Sequence, residues 1–195
     1  MSSQTLNPAL HLSQEIAELL DSKLPPLGPG APQTQFEQPL KEISPESLLS
    51  DTVVSPKEAR CCLAGMWLWN GFLDRSHEIS QNIDTPEGSW WHGIMHRREP
   101  DAGNAAYWFR RVGDHPLFSA LGDSVQKHAT QTELPDQTQW LLHCTDWNPN
   151  QFIEACEAAR CDSNEDVRRV LREVAAIEWY TLFDYCRNLA CGSHQ

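Results

Sequence analysis

His92, His96 and Glu99 stand at positions i, i+4 and i+7 of one segment. On a helix that spacing puts two imidazoles and a carboxylate on one face, within reach of a single cation. The segment reads Trp90-Trp91-His92-Gly93-Ile94-Met95-His96-Arg97-Arg98-Glu99. Its His-x-x-x-His spacing is that of the zincin helix, but Gly93 stands where that motif carries its general-base Glu, so zincin chemistry does not apply.

Upstream, Asn70, Asp74, His77, Glu78 and Gln81 recur every three or four residues and share a face. This stripe either emerges into solvent or lines a polar pocket. A short connection separates it from the His92 segment, which makes the two helices neighbours and brings His77 and Asp74 toward His92. His77, His92, His96 and Glu99 then form a nitrogen- and oxygen-rich donor set suited to zinc, iron or manganese. Without a metal, His77, His92 and His96 serve as general acids or bases, because imidazole titrates near pH 6.5 and Asp74 or Glu99 would orient and tune it. The structural alternative makes the same histidines hydrogen-bonded core or rim groups.

A cationic cluster follows. Arg97, Arg98, Arg110 and Arg111 lie within fifteen positions with no Lys among them, and His115 is close behind. Guanidinium groups grip carboxylate or phosphate bidentately and stack on rings such as Trp91, Trp108 and Tyr107. One reading is a pocket for a small anion, lined by these residues. The other is internal pairing with Glu87, Glu99, Asp101 and Asp114, four acids for four Arg.

The blocks Asp74-Arg75-Ser76-His77-Glu78, Gly88 to Asp101 and Asn104 to Gly113 resemble an uncharacterised microbial protein family. The resemblance covers about a fifth of the chain. It implies no activity and assigns no catalytic residue.

The elements that must position these groups are helical. Ser55-Pro56-Lys57-Glu58 carries an N-cap, a proline at the first helical position and a Glu that completes a capping box, predicting a helix from Ser55 to about Gln81. Its first half is apolar all round, hence buried. Asp84-Thr85-Pro86-Glu87 opens the histidine helix, which Pro100 must end. Asp101 or Asn104 caps a helix through Val112, with Ala105, Trp108, Phe109 and Val112 inward. Further helices are predicted over 117–129, from Asn148-Pro149 to about Ala159, and from Asp162 or Ser163 to about Leu189. Residues 130–147 read as a polar loop. No alternating strand pattern occurs, so the expected fold is all-α, an irregular helical bundle of five to seven helices.

Ahead of it, residues 8–23 form an amphipathic stripe through Leu10, Ile16, Leu19 and Leu20, able to engage a protein partner. Residues 24–43 carry Pro25, Pro26, Pro29, Pro32 and Pro39 and read as an extended linker. The expected organisation is a helix over 1–23, a linker over 24–43 and a globular unit over 44–195.

The formal net charge of −12 argues against nucleic acid and against an anionic membrane surface. No apolar run approaches the roughly 20 residues of a membrane span, and the N-terminus lacks a signal-peptide pattern. Seven Cys without a CxxC pair read as reduced thiols in the cytoplasm. Cys144 beside His143 does not make a nucleophile pair, since adjacent residues do not face each other on a helix. Two functions remain: a small-molecule enzyme or ligand-binding protein, metal-dependent or not, with its site between the 55–81 and 86–99 helices, or a non-catalytic helical interaction module.

Overall fold

A computed structural model describes residues 17–20, 23–49 and 51–193. The expected helix over 8–23 falls largely outside the described residues. Among those described, the chain forms nine α-helices and two 3-10 segments and no strand. The helices are α1 (Glu37–Glu42), α2 (Pro45–Leu48), α3 (Pro56–Trp69), α4 (Leu73–Ser80), α5 (Pro86–Arg98), α6 (Ala102–Val112), α7 (Leu117–Thr130), α8 (Pro149–Cys161) and α9 (Glu165–Cys191). The all-α expectation holds, with more helices than the five to seven read from the sequence. No described helix is long and apolar enough to cross a membrane.

The largest departure is the segment predicted as one helix over 55–81. It is two, α3 and α4, broken at Asn70-Gly71-Phe72. Asn70 ends α3 by turning its side-chain amide back to the Met66 carbonyl, 3.0 Å away. Gly71 takes φ +82°, and a Cβ there would sit 3.1 Å from Pro32 Cα and 3.2 Å from the Ala31 carbonyl oxygen. Both the left-handed backbone and the close approach call for glycine. The predicted capping box at the start of α3 also fails to form: the Ser55 hydroxyl bonds the Glu58 carboxylate directly and accepts nothing from the backbone.

The proline-rich stretch is irregular over residues 23–33, but Thr34–Phe36 is a 3-10 turn and Glu37–Glu42 is α1. Pro39 lies in the first turn of α1, where its missing N–H removes no helical bond. The stretch is also fastened down. Gln33 N donates to Asn70 O at 2.9 Å, Arg160 Nη1 to Leu27 O at 3.4 Å, and Arg98 Nη2 to Pro29 O at 3.4 Å. The interior therefore uses this stretch as a wall.

The other helix starts lie at or within one residue of their predicted caps. Thr85 caps α5 by accepting from Gly88 N at 3.1 Å. Asp101 caps α6 through Asn104 N at 3.0 Å, and Asn148 caps α8. Asn164, one residue beyond the expected Ser163, caps α9. At 27 residues α9 is about 40 Å long, and it packs on α3, α7 and α8. Trp179 on α9 stacks on Phe183 and donates its indole N–H to Gly65 O at 2.9 Å. All seven cysteines are free thiols and five are buried, Cys144 among them.

Candidate functional site

Every residue of α5 from Glu87 to Arg98 is buried, so its chemistry is sorted by helical face. His92, His96 and Glu99 fall within about 60° of one another at 100° per residue, while Ile94, Arg97 and Arg98 centre on the opposite side. The first face meets α4 and α6; the second meets α3, α8 and α9.

On the first face the imidazoles converge. His92 Nε2 lies 3.0 Å from His96 Nε2. The His77 ring from α4 is centred 4.5 Å from His92 and 5.5 Å from His96. One ring nitrogen from each histidine lies within 4.8 Å of the other two. Two nitrogens on one tetrahedral zinc stand roughly 3.3 Å apart, given Zn–N bonds of about 2.0–2.1 Å. The His92–His96 pair is already near that separation.

The outer nitrogens are held separately. Ser80 Oγ lies 3.2 Å from His92 Nδ1, and Glu99 Oε2 lies 3.0 Å from His96 Nδ1. The protons can be followed through this chain. Glu99 accepts from His96 Nδ1–H, which leaves a lone pair on His96 Nε2. His92 Nε2–H then donates to that lone pair, and His92 Nδ1 accepts from the Ser80 hydroxyl. If a cation takes the two Nε2 atoms, only His92 must change tautomer: its Nδ1–H donates to Ser80 Oγ, whose own proton turns to the His77 carbonyl, 3.5 Å away. Ser80 and Glu99 thus occupy the outer positions that orient metal-binding imidazoles.

Burial pushes the ionisation of His92 down to about 3, with neighbouring His77 and His96 adding to the effect. Burial also lowers that of His96, against the opposing pull of Glu99. At neutral pH both rings are uncharged, the form that ligates metals.

The walls are aromatic and partly open. Trp108 of α6 lies over His92, ring centres 4.0 Å apart and tilted 31°. This approach depends on Gly93, where a Cβ would meet the Phe109 ring at 2.9 Å. The Arg111 guanidinium lies 5.3 Å from the Trp108 ring and reaches Asp84 at 3.3 Å. His77 is half-buried and the Glu99 side chain is 51% exposed, so the cluster meets solvent on their side.

The other candidate residues are distributed elsewhere. Asp74 is exposed, and among the described residues it makes no hydrogen bond to the three histidines. Glu99 reaches His96 from outside, away from the converging Nε2 atoms. Arg97 points to α9 and pairs in the interior with Glu178, and Arg98 bonds the Leu68 carbonyl. Arg110 lies exposed beside Tyr107, itself 46% exposed. His115 is buried and bonded to Glu87 at 3.2 Å, against the Trp90 ring. Trp91 is fully buried between Gly65 and Trp179, where no ligand of the histidine cluster could touch it. The four acids expected to balance the four Arg do not: Glu87 and Glu99 bind histidines, Asp101 caps α6, Asp114 is exposed and bonds no Arg among the described residues, and the acids that do pair are Glu178 with Arg97 and Asp84 with Arg111.

Three residues escaped the sequence reading. Ser80 lies three residues after His77, on the same face, and that spacing was the available signal. Trp108 is expected from the sequence as core and as a stacking ring for Arg, not as a wall over His92. Glu178 interrupts the apolar run Ala176-Ile177-Glu178-Trp179-Tyr180, which was its signal.

No protein-family model, curated protein or solved structure matches the chain.

Proposed function

We propose that this protein binds one divalent transition metal through His77, His92 and His96, and uses it in hydrolytic or isomerising chemistry on a small molecule. The observation that carries the reading is the facing pair of His92 and His96 Nε2 atoms, 3.0 Å apart, with both outer nitrogens occupied by Ser80 and Glu99. Three imidazoles suit zinc first, with iron or manganese as alternatives. Three protein ligands leave a further position for water, whose ionisation zinc lowers to about pH 7. Water and a small molecule would reach the cluster from its solvent-facing side, where His77 and Glu99 are exposed in part. Glu99 then holds the His96 tautomer, and Trp108 shields His92 from water.

A second reading makes the same chain of bonds a structural network in a non-catalytic module. It is favoured by the fact that His92 finds partners for both ring nitrogens without a metal. Elemental analysis of untagged protein separates the two. Near-stoichiometric zinc, iron or manganese, absent from a His92→Ala/His96→Ala variant that still folds, is the expected result. Metal-free wild-type protein that also fails to take up added zinc or iron(II) would overturn the metal reading.

A further inference from the structure

The opposite face of α5 holds an excess of buried positive charge beside a cavity. Arg97 is 2% exposed and Arg98 6% exposed. One carboxylate, Glu178, is bonded there, and it is shared by Arg97 and the Trp90 indole, the latter at 3.0 Å. Arg98 bonds backbone carbonyls, those of Gly28, Pro29 and Leu68, and no carboxylate among the described residues. Guanidinium stays protonated in proteins, so two cations face one anion. The nearby Arg160 has Glu157 and adds no net charge. The Cys156 thiol lies on the same wall, but burial pushes its ionisation up to about 11, so it supplies no anion near neutral pH. Arg97 Nη1 is buried without a hydrogen-bond partner among the described residues.

Arg97 and Arg98 both line a cavity of about 30 Å³, the Arg97 guanidinium also lying 4.4 Å from the centre of the Phe152 ring. In that measure a single water needs roughly 10–15 Å³, so the space holds more than one water. Its other walls are almost wholly apolar: Leu68, Trp69, Ile94 and Trp179, with Ala175 from α9 and the Pro25–Leu27 stretch across the top. A buried net cation wants a counter-anion, and apolar walls want an apolar body. Sulfate or phosphate would leave most of its oxygens facing hydrocarbon.

The geometry points to a binding site for a short-chain aliphatic monocarboxylate in this cavity, with the carboxylate on Arg98 and the free Nη1 of Arg97 and the chain against Ile94 and Trp179. The site is separate from the histidine cluster and independent of the metal reading. The proline-rich stretch roofs it, which gives that stretch a role that its composition does not suggest.

Sodium propionate is the probe, titrated by calorimetry and by thermal denaturation against sodium chloride at equal ionic strength, with n-propanol as the uncharged control. Propionate should bind and raise the melting temperature, and propanol should do neither. Arg98→Gln should weaken binding by roughly tenfold or more, the loss expected for a charge-assisted hydrogen bond. Because that variant also removes three backbone contacts on which folding draws, Ala175→Leu is the second test. It fills the cavity from a half-buried position on α9 and leaves both charges in place. It should abolish the propionate effect. The His92→Ala/His96→Ala variant should retain it. No propionate binding in the wild type, an equal effect of chloride, or full binding in Ala175→Leu would each overturn the site.

Discussion

At the scale of single residues, the histidine cluster costs the protein stability in acid. His92 ordinarily titrates at 6.5 and is held down to about 3 when folded, first by burial and then by His77 and His96. Between those values the unfolded chain takes up a proton that the folded chain refuses. Stability is therefore unaffected above pH 6.5 and falls as pH drops through the window, by up to about 1.4 kcal/mol per pH unit for one such group. His96, lowered mainly by burial, adds in the same direction. Urea denaturation of metal-stripped protein at about pH 7 and about pH 5 should give a lower midpoint at the acid value, with a smaller difference in His92→Gln. An equal or higher midpoint in acid would mean that the folded cluster accepts the proton, for instance shared between His92 and His96. Ser80 and Glu99 enter the same balance, Ser80 by donating to His92 Nδ1 and Glu99 by accepting from His96 Nδ1–H.

At the scale of elements, legibility followed the chemistry of helix ends. Thr85-Pro86 and Asn148-Pro149 announced their helices because a cap and a first-turn proline act locally, needing nothing from the rest of the chain. The i, i+4 spacing of His92 and His96 gave their shared face for the same reason. The break between α3 and α4 was hidden because Asn70-Gly71 sits inside an apolar-then-polar pattern that fits one helix, and the close neighbours of Gly71 there, Ala31 and Pro32, lie some forty residues away in sequence. The destination of Arg97 was hidden likewise: its partner Glu178 lies 81 residues downstream. The break also sets the site, since α4 must turn off α3 for His77 to reach His92. Gly71→Ala should accordingly destabilise the fold by about 1–3 kcal/mol, from left-handed strain plus the crowded Cβ. Thermal or urea denaturation checks this. A neutral effect would mean the junction relaxes freely, and α4 would then not be rigidly placed by it.

At the scale of the whole molecule, one region of the interior carries charge opposite to that of the chain as a whole. The chain is −12 overall, yet the region around Arg97, Arg98 and Glu178 is net positive. Glu178 is fully buried and is bonded by Arg97 from α5 and by Trp90 from the same helix, so it ties α9 to α5 through charge. Removing one partner of such a pair leaves the other uncompensated. Glu178→Gln should therefore cost about 3–5 kcal/mol, whereas replacing both partners, Arg97→Met with Glu178→Leu, should restore most of it, since buried ion pairs exchange for apolar contacts at little net loss. Urea denaturation followed by tryptophan fluorescence measures both. If Glu178→Gln lies within about 1 kcal/mol of wild type, Arg97 does not depend on Glu178 for neutralisation. If the double variant is as poor as the single one, the pair acts by shape and not by charge. Should Glu178→Gln remain folded, its interior holds two unmatched guanidinium groups, and propionate should stabilise it more than it stabilises the wild type. Charge around this cavity is then set by Arg97, Arg98, Glu178 and whatever anion joins them.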